Sequence, residues 1–329
     1  MIDRIINFSL RERLLVVILI LLIVAGGIYS FLRLPIDAFP DVTNVQVEIL
    51  SYAPGYSPFE VEKFVTFPLE VTMRGLPGLT QLRSVSRSGL SVITAVFEDG
   101  LDIYFARQQV FERLTEAKEK MPEGVETTLG PIATAMGEIY QYTLEGQEPQ
   151  QKEDWIPYLT ELRSIQDWII TPIMKSIPGV IDVNSFGGYI RQYLIKVEPD
   201  RLLKYAISLQ DILEAVRNNN LNVGGNIIEK GQQQYIVRGT GLFHNLEDIK
   251  NTVIKVDRGV PVTLQDVARV EPGYAVRQGG AVINGVKEAV GGIVLMLKGQ
   301  NSREVTRRVE RKVAEINSSG LLPSGLKIV

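Results

Sequence analysis

Glu98-Asp99-Gly100-Leu101-Asp102 crowds carboxylates into one short stretch, the densest acidic group in the chain. It lacks the ligand spacing and the length of a calcium loop. A tight turn followed by a helix N-cap accounts for it without a metal. The sequence holds 1 histidine, His244, between Phe243 and Asn245. No Ser-His-Asp arrangement can be built around it, and a lone imidazole of this kind reads as a surface or helix-start residue. Cysteine is absent, which excludes disulfides, thiolate metal sites and thiol nucleophiles. The 6 methionines, at Met1, Met73, Met121, Met136, Met174 and Met296, are scattered where a soft-metal relay needs them clustered. No Gly-x-x-x-x-Gly-Lys loop occurs, and Gly187-Gly188 and Gly224-Gly225 are not in a strand-to-helix setting that cradles phosphate. The residues therefore show no catalytic centre and no cofactor site, and function has to be sought in the architecture.

Leu14 to Leu32 runs without a charge and is rich in Leu, Ile and Val. At about 1.5 Å per residue it spans roughly 28 Å, close to a hydrocarbon core of about 30 Å. A buried helix of a soluble domain would be shorter and polar on one face. A cleaved signal would have a shorter apolar region and a small-residue cleavage site, whereas Arg33-Leu34-Pro35 follows here. The stretch reads as an uncleaved transmembrane anchor. Arg4, Arg11 and Arg13 precede it, while Asp37 and Asp41 follow, so the N-terminus is expected in the cytoplasm and everything past about Pro35 beyond the membrane. Ile2, Ile5, Ile6 and Leu10 have helical spacing and suggest a short helix lying in the interface.

Of 329 residues, 45% are apolar and 22% charged, so the extramembrane part is globular, with room for two or more domains. A net charge of -3 with no long basic run argues against nucleic acid. Val42–Ser51 alternates and reads as a strand. Ser57, Pro58 and Glu60 form a capping box, opening a helix whose inner face is Val61, Phe64, Val65 and Leu69, ended by Gly75 and Pro77-Gly78. Strands follow at Leu79–Arg87 and Ser91–Phe97, then a helix capped by Asp102, then a strand at Val125–Leu129. The order is β-α-β-β-α-β, the split βαβ or ferredoxin-like pattern.

The pattern then recurs. Glu138–Leu144 is a strand, and Tyr158–Lys175 a helix with Leu159, Leu162, Ile165 and Ile169 inward. Ile177-Pro178-Gly179-Val180 repeats Leu76-Pro77-Gly78-Leu79. Gly292–Leu297 resembles Val92–Phe97, with Ser302 in the capping place of Asp102. Pro323-Ser324-Gly325-Leu326 echoes Pro122-Glu123-Gly124-Val125. Such repeats imply two like modules, the second split by an insertion near 187 to 275. Within it Tyr193–Val197 is a strand, Pro199–Tyr205 and Ser208–Asn218 are helices, and Gln233–Arg238 is a strand. The Asn/Gly-rich run from Asn218 to Gly225 reads as a hairpin arm or a surface loop. The last strand is the one in which the chain stops, so more polypeptide is expected to follow.

Several long motifs, in order, resemble the heavy-metal branch of the resistance-nodulation-division (RND) efflux family, and most closely its cobalt-zinc-cadmium, CzcA type. They are Pro35-Ile36-Asp37-Ala38-Phe39-Pro40-Asp41 with Val45-Gln46-Val47, Tyr52-Ala53-Pro54-Gly55-Tyr56-Ser57-Pro58, and Phe97-Glu98-Asp99-Gly100. Further on come Gly130-Pro131-Ile132-Ala133-Thr134, Leu162-Arg163-Ser164-Ile165-Gln166-Asp167-Trp168, Gly259-Val260-Pro261-Val262 and Asp266-Val267-Ala268.

The resemblance implies an α+β fold and the N-terminal portion of a secondary transporter, a proton-driven cation antiporter of the bacterial inner membrane rather than an enzyme. Residues 1–34 would be the interfacial helix and transmembrane helix 1, 41–131 porter subdomain PN1, and 132–186 with 276–329 porter subdomain PN2. Residues 187–275 would be docking subdomain DN. Its arm, 218–234, would reach a neighbouring protomer of a homotrimer through Leu221, Val223, Gly224 and Gly225. A periplasmic adaptor and an outer-membrane channel would complete a tripartite system. No cofactor is implied beyond the transported divalent ion and protons, and the proton-relay residues would lie outside this chain. The divalent branch carries a carboxylate just after the Gly-Pro-Ile-Ala-Thr segment, where the copper/silver branch carries a bulky aromatic. Here that residue is Glu138, an oxygen ligand suited to a harder ion. An ordinary charged residue at a strand start is the competing reading. The rival functions are a copper/silver pump, an exporter of organic compounds, and a single-span anchored adaptor or sensor.

Overall fold

The computed structural model describes residues 11–32, 43–132, 137–230, 233–257, 259–277 and 279–329. The interfacial helix expected before residue 11 and the motif at 35–41 lie outside them. Helix α1, Arg13–Leu32, is apolar all round, and its membrane-length window is 0% buried against the rest of the chain. A helix that buries no face in protein and is long and apolar enough to cross a membrane is suited to lipid as its solvent.

The first unit comprises β1 (Gln46–Tyr52), α2 (58–73), β2 (Leu79–Arg87), β3 (Leu90–Phe97), α3 (Ile103–Lys118) and β4 (Glu126–Leu129). Its sheet runs β2-β3-β1-β4, antiparallel throughout. Both helices cover one face, where Val61, Val65 and Leu69 of α2 and Ala106, Val110 and Leu114 of α3 meet Val47, Ile49 and Ile93. The capping box opens α2: Ser57 N–H donates to Glu60 Oε2 at 2.8 Å. The backbone and side-chain hydrogen bonds from Ser57 hold the Glu60 carboxyl below the usual carboxylate range. Asp102 caps α3 by accepting from Phe105 N–H at 2.9 Å, so the acidic turn is cap chemistry.

Helix α2 is not uniform. It is α-helical over Pro58–Val61, π-helical over Glu62–Thr66, and α-helical again over Phe67–Met73. Pro68 explains the change. Proline has no N–H to give, and its ring strikes the carbonyl four residues back, so a widened turn ahead of it relieves the clash. Helix α4 (155–175) repeats the device, with a π-turn at Gln166–Ile170 before Pro172. The extra residue rotates the inward face. Phe64, expected inside, is 41% exposed, and Ile169 is only partly buried while Ile170 is fully enclosed. In exchange, the polar Thr66 and Gln166 turn inward.

Each is satisfied there in part. Thr66 Oγ1 lies 2.8 Å from both Ser86 Oγ and Ser91 Oγ. Gln166 Nε2 donates to Tyr142 Oη at 2.9 Å and Thr171 Oγ1 at 3.2 Å. Thr66→Val keeps the shape of the side chain and strands the fully buried Ser91 hydroxyl. It is expected to lower the unfolding free energy by about 1–2 kcal/mol. Urea denaturation checks this, and an unmoved midpoint would show that the hydroxyl contact contributes nothing.

The second unit begins with β5 (Glu138–Glu145), α4 and β6 (Val180–Gly187). The chain then leaves it through β7 (Arg191–Val197), α5 (Pro199–Tyr205), α6 (Leu209–Asn219), β8 (Val223–Lys230) and β9 (Gln233–Gly239). It continues through α7 (Leu246–Lys250), β10 (Val253–Asp257), β11 (Val260–Thr263), α8 (Leu264–Val267) and β12 (Ala268–Tyr274). A small hairpin, β13 (Val282–Ile283) and β14 (Lys287–Glu288), leads back to β15 (Val290–Met296), α9 (Ser302–Ser318) and β16 (Lys327–Ile328). The sheet order β16-β5-β15-β6 is that of the first unit, strand for corresponding strand. The cap of α9 is Asn301, which accepts from Glu304 N–H at 3.2 Å. Ser302, expected in that role, is instead the first helical residue: Asn301 follows Gly299 by the same two positions as Asp102 follows Gly100, so the cap falls on the asparagine.

Each unit buries its own core, and the insertion buries a third around Ile207, Ile212, Leu264 and Val267. Within the insertion, Ser208 and Asp211 form a second capping box, with Ser208 N–H donating to Asp211 Oδ2 at 2.7 Å.

Candidate functional site

The two units meet where β4 ends. Gly130 N–H donates to Glu48 C=O at 2.8 Å, and the Arg107 guanidinium donates to Gly130 C=O. Residues 133–136 lie outside the described ones. Gly137 is buried and accepts from Met296 N–H at 2.7 Å. Glu138 then opens β5 with its side chain exposed. It stands opposite Leu295, beside a register shift between Val294 and Leu295. A bulge of this kind bends a strand and re-aims the side chains next to it. Lys298, just past the end of β15, ties the seam. Its N–H donates to Ile132 C=O at 3.3 Å, and its Nζ donates to Thr43 C=O at 3.0 Å, reaching from the second unit to the start of the first.

Glu138 therefore offers one accessible carboxylate at a junction between separately packed bodies. Among the described residues no group of three or more His, Cys, Asp or Glu side chains is placed to hold a metal ion. A carboxylate by itself is a weak ligand, so any site here needs donors from elsewhere. Sulfur does not supply them among the described residues. Met73 and Met174 are fully buried, Met296 is 6% exposed, and Met121 is half-buried near the Thr127 hydroxyl. Met1 and Met136 lie outside the described residues. His244 is exposed just before α7, its N–H donating to Asp248 Oδ2 at 2.8 Å, which is a helix-start role.

The arm lies apart from this seam in its contacts. Asn218 and Asn219 are the last turn of α6, so the run does not begin as a loop. Val223, Gly224 and Gly225 open β8, which pairs with β9 across a register shift between Gly224 and Ile227. Leu221 and Val223 are exposed, at 50% and 62%. The asparagines have a local purpose. Asn220 Oδ1 accepts from Phe243 N–H at 3.1 Å and Asn222 Oδ1 from Gly241 N–H at 3.2 Å, closing the base of the hairpin. The structure does not bring Glu138 and the arm residues into one site. The seam residue that sequence reading misses is Lys298. Its partner Thr43 lies 255 positions away, and no local pattern carries that information.

The profile of the AcrB/AcrD/AcrF family matches residues 5–329. The chain is 47% identical over 330 residues to the cobalt-zinc-cadmium resistance protein CzcA of Cupriavidus metallidurans, covering 100% of this chain and 31% of that protein. It is 40% identical over 330 residues to the cation efflux system protein CusA of Escherichia coli (strain K12), again 100% of this chain and 31% of that one. A crystal structure of a heavy metal efflux pump superposes with a TM-score of 0.84 at 34% identity, over 98% of this chain and 32% of its own. The chain spans about a third of the length of these relatives.

Proposed function

The chain belongs to the AcrB/AcrD/AcrF family, and from that premise we propose that it serves as part of a longer, proton-driven exporter of divalent heavy-metal cations in the bacterial inner membrane. The observation that carries this reading is likeness along the whole chain, in sequence and in fold, to proteins named for cobalt-zinc-cadmium resistance, cation efflux and heavy-metal efflux.

In this reading α1 is one span of a multi-pass protein. Residues 41–131 and 132–186 with 276–329 are porter subdomains, and 187–275 is a docking subdomain whose arm, 218–234, engages the next protomer of a trimer. An adaptor and an outer-membrane channel complete the path. The separate cores suit the porter role, since bodies that share no interior can shift against each other without unpacking. Such a shift is driven only if cargo or proton binds the two arrangements with different affinity. Glu138, at the seam, is the residue of this chain proposed to contact the ion, with its other ligands from outside the chain. A divalent cargo is favoured over copper or silver because the donor offered at the seam is oxygen, while Met73, Met174 and Met296 are committed to cores.

The test is metal tolerance of a sensitive host expressing the full-length protein. The wild type is expected to raise zinc, cobalt or cadmium tolerance. Glu138→Gln, at equal membrane abundance, is expected to lose on the order of tenfold in metal affinity and a matching share of that tolerance. Unchanged tolerance in the variant would remove Glu138 from the site. A host as sensitive with the wild-type protein as with empty vector would overturn the export reading itself.

A further inference from the structure

The strand that runs down to the seam leaves its sheet the same way in both units. In the first, Phe97 N–H donates to Val45 C=O at 2.7 Å and Glu98 N–H to Gly78 C=O at 2.8 Å. In the second, Met296 N–H donates to Gly137 C=O at 2.7 Å and Leu297 N–H to Gly179 C=O at 2.9 Å. Gly100 and Gly299 then turn the two chains. The residue just before each glycine is where the copies part. The first unit has Asp99, exposed, and the second has Lys298, half-buried, so one place in the repeat carries opposite charges. Lys298 is also the residue that reaches the other unit, with its N–H on Ile132 C=O at 3.3 Å and its Nζ on Thr43 C=O at 3.0 Å.

Apolar burial does not set how the two units sit. Their cores are separate, and among the described residues no helix or strand of one packs extensively on a helix or strand of the other. One superposition on the heavy metal efflux pump takes in both units together, so their pose is shared with a longer chain. The hydrogen bonds of Lys298 therefore stand where a packed interface would. A lysine suits that place. Its charged donor makes a stronger bond to a carbonyl than a neutral one, and its flexible stem with rotating donors keeps hold while the bodies rock, until the stem is taut. We propose that Lys298 is a positioning residue, a tether that fixes the second unit against the first and limits how far the two swing apart. An aspartate there, as in the first unit, would repel the Thr43 carbonyl and leave the units unlinked. Nothing in this depends on the cargo. Its bearing on export rests on the reading above, under which Lys298 governs the stroke of the two porter subdomains.

The experiment is pulsed electron paramagnetic resonance between spin labels on Ser84→Cys in β2 and Ala314→Cys in α9, both exposed positions, in the full-length protein. Residues 1–329 hold 0 cysteines, and any beyond them are replaced. Labelled protein is diluted into unlabelled, so that only pairs within one polypeptide are read. One narrow distance is expected with the lysine in place. Lys298→Gln removes the charge and is expected to raise the share of displaced poses about tenfold, and Lys298→Asp is expected to raise it further. Lys298→Arg keeps both cation and reach and is expected to restore the narrow distance. Heating curves followed through Trp155 and Trp168 are expected to coincide for all the variants, which separates a tether from a part of the second core. A distance unchanged by Lys298→Asp, or one already broad with the lysine in place, would overturn the proposal. So would a fall in the heating midpoint alongside the broadening, since the unit would then be unravelling rather than swinging. No metal enters these readings, so loss of the export reading would leave the tether standing.

Discussion

Gly187→Ala is expected to destabilise the second unit by about 3 kcal/mol, combining a left-handed backbone cost of about 1–2 kcal/mol with overpacking of about 1–3 kcal/mol. Gly187 closes β6 with φ at 71°. A Cβ built there would lie 1.8 Å from the Ala289 carbonyl oxygen, which is backbone and cannot swing away. Ala289 is itself pinned, its N–H donating to Ala281 C=O at 3.0 Å. The Gly187 carbonyl is held too, by Arg163 Nη1 at 2.8 Å. Both walls are therefore fixed, and the methyl has to displace the entry to β15. The chain's 2 tryptophans, Trp155 and Trp168, both sit on α4 of this unit. Tryptophan fluorescence during heating thus reads the affected body, where a loss of this size lowers the midpoint by roughly 6–12 °C. Gly299→Ala, in the same unit, is the control. Its φ is 84°, but nothing lies within 4 Å of the added carbon, so only the conformational cost remains. Equal shifts for the two variants would show that the close approach at Gly187 does not matter.

Leu22→Arg has the next largest expected effect. Leu22 is near the middle of α1 and is 64% exposed. Replacing leucine by arginine at the centre of a spanning helix costs about 3 kcal/mol on the insertion scale, a factor of more than about a hundred in the insertion equilibrium. For residues 1–329 expressed alone, the fraction that resists alkaline extraction from membranes is expected to fall to a small remainder, while Leu22→Val leaves it unchanged. Retention of Leu22→Arg at the wild-type level would show that α1 is not what anchors the chain.

Much of the fold is legible because its signals are local. The capping boxes at Ser57 and Ser208, the strand Leu79–Arg87 and the helix Pro199–Tyr205 each lie within one short window, and propensity and capping decide them. The phase of α2 and α4 is not local in this way. Pro68 and Pro172 lie inside helical patterns, but a 3.6-residue count takes no account of the widened turn before each. Such a count places Phe64 inside and leaves Thr66 and Gln166 out. The asparagine run leaves hairpin arm and surface loop equally open in the sequence, because its partners, Gly241 and Phe243, come from the far side of a hairpin. The candidate metal site was the least legible part. Glu138 stands out only by resemblance, since in this chain it is a lone acid at a strand start.

The neck of the insertion carries a consequence of its own. Arg191 and Tyr274 face each other as the last rung of β7 against β12, and Ala275 N–H donates to Ile190 C=O at 2.9 Å just beyond. Entrance and exit therefore stand side by side, and the host sheet is interrupted at a single point. A cassette mounted this way can be exchanged for a short turn, or for another cassette, without re-registering the strands around it.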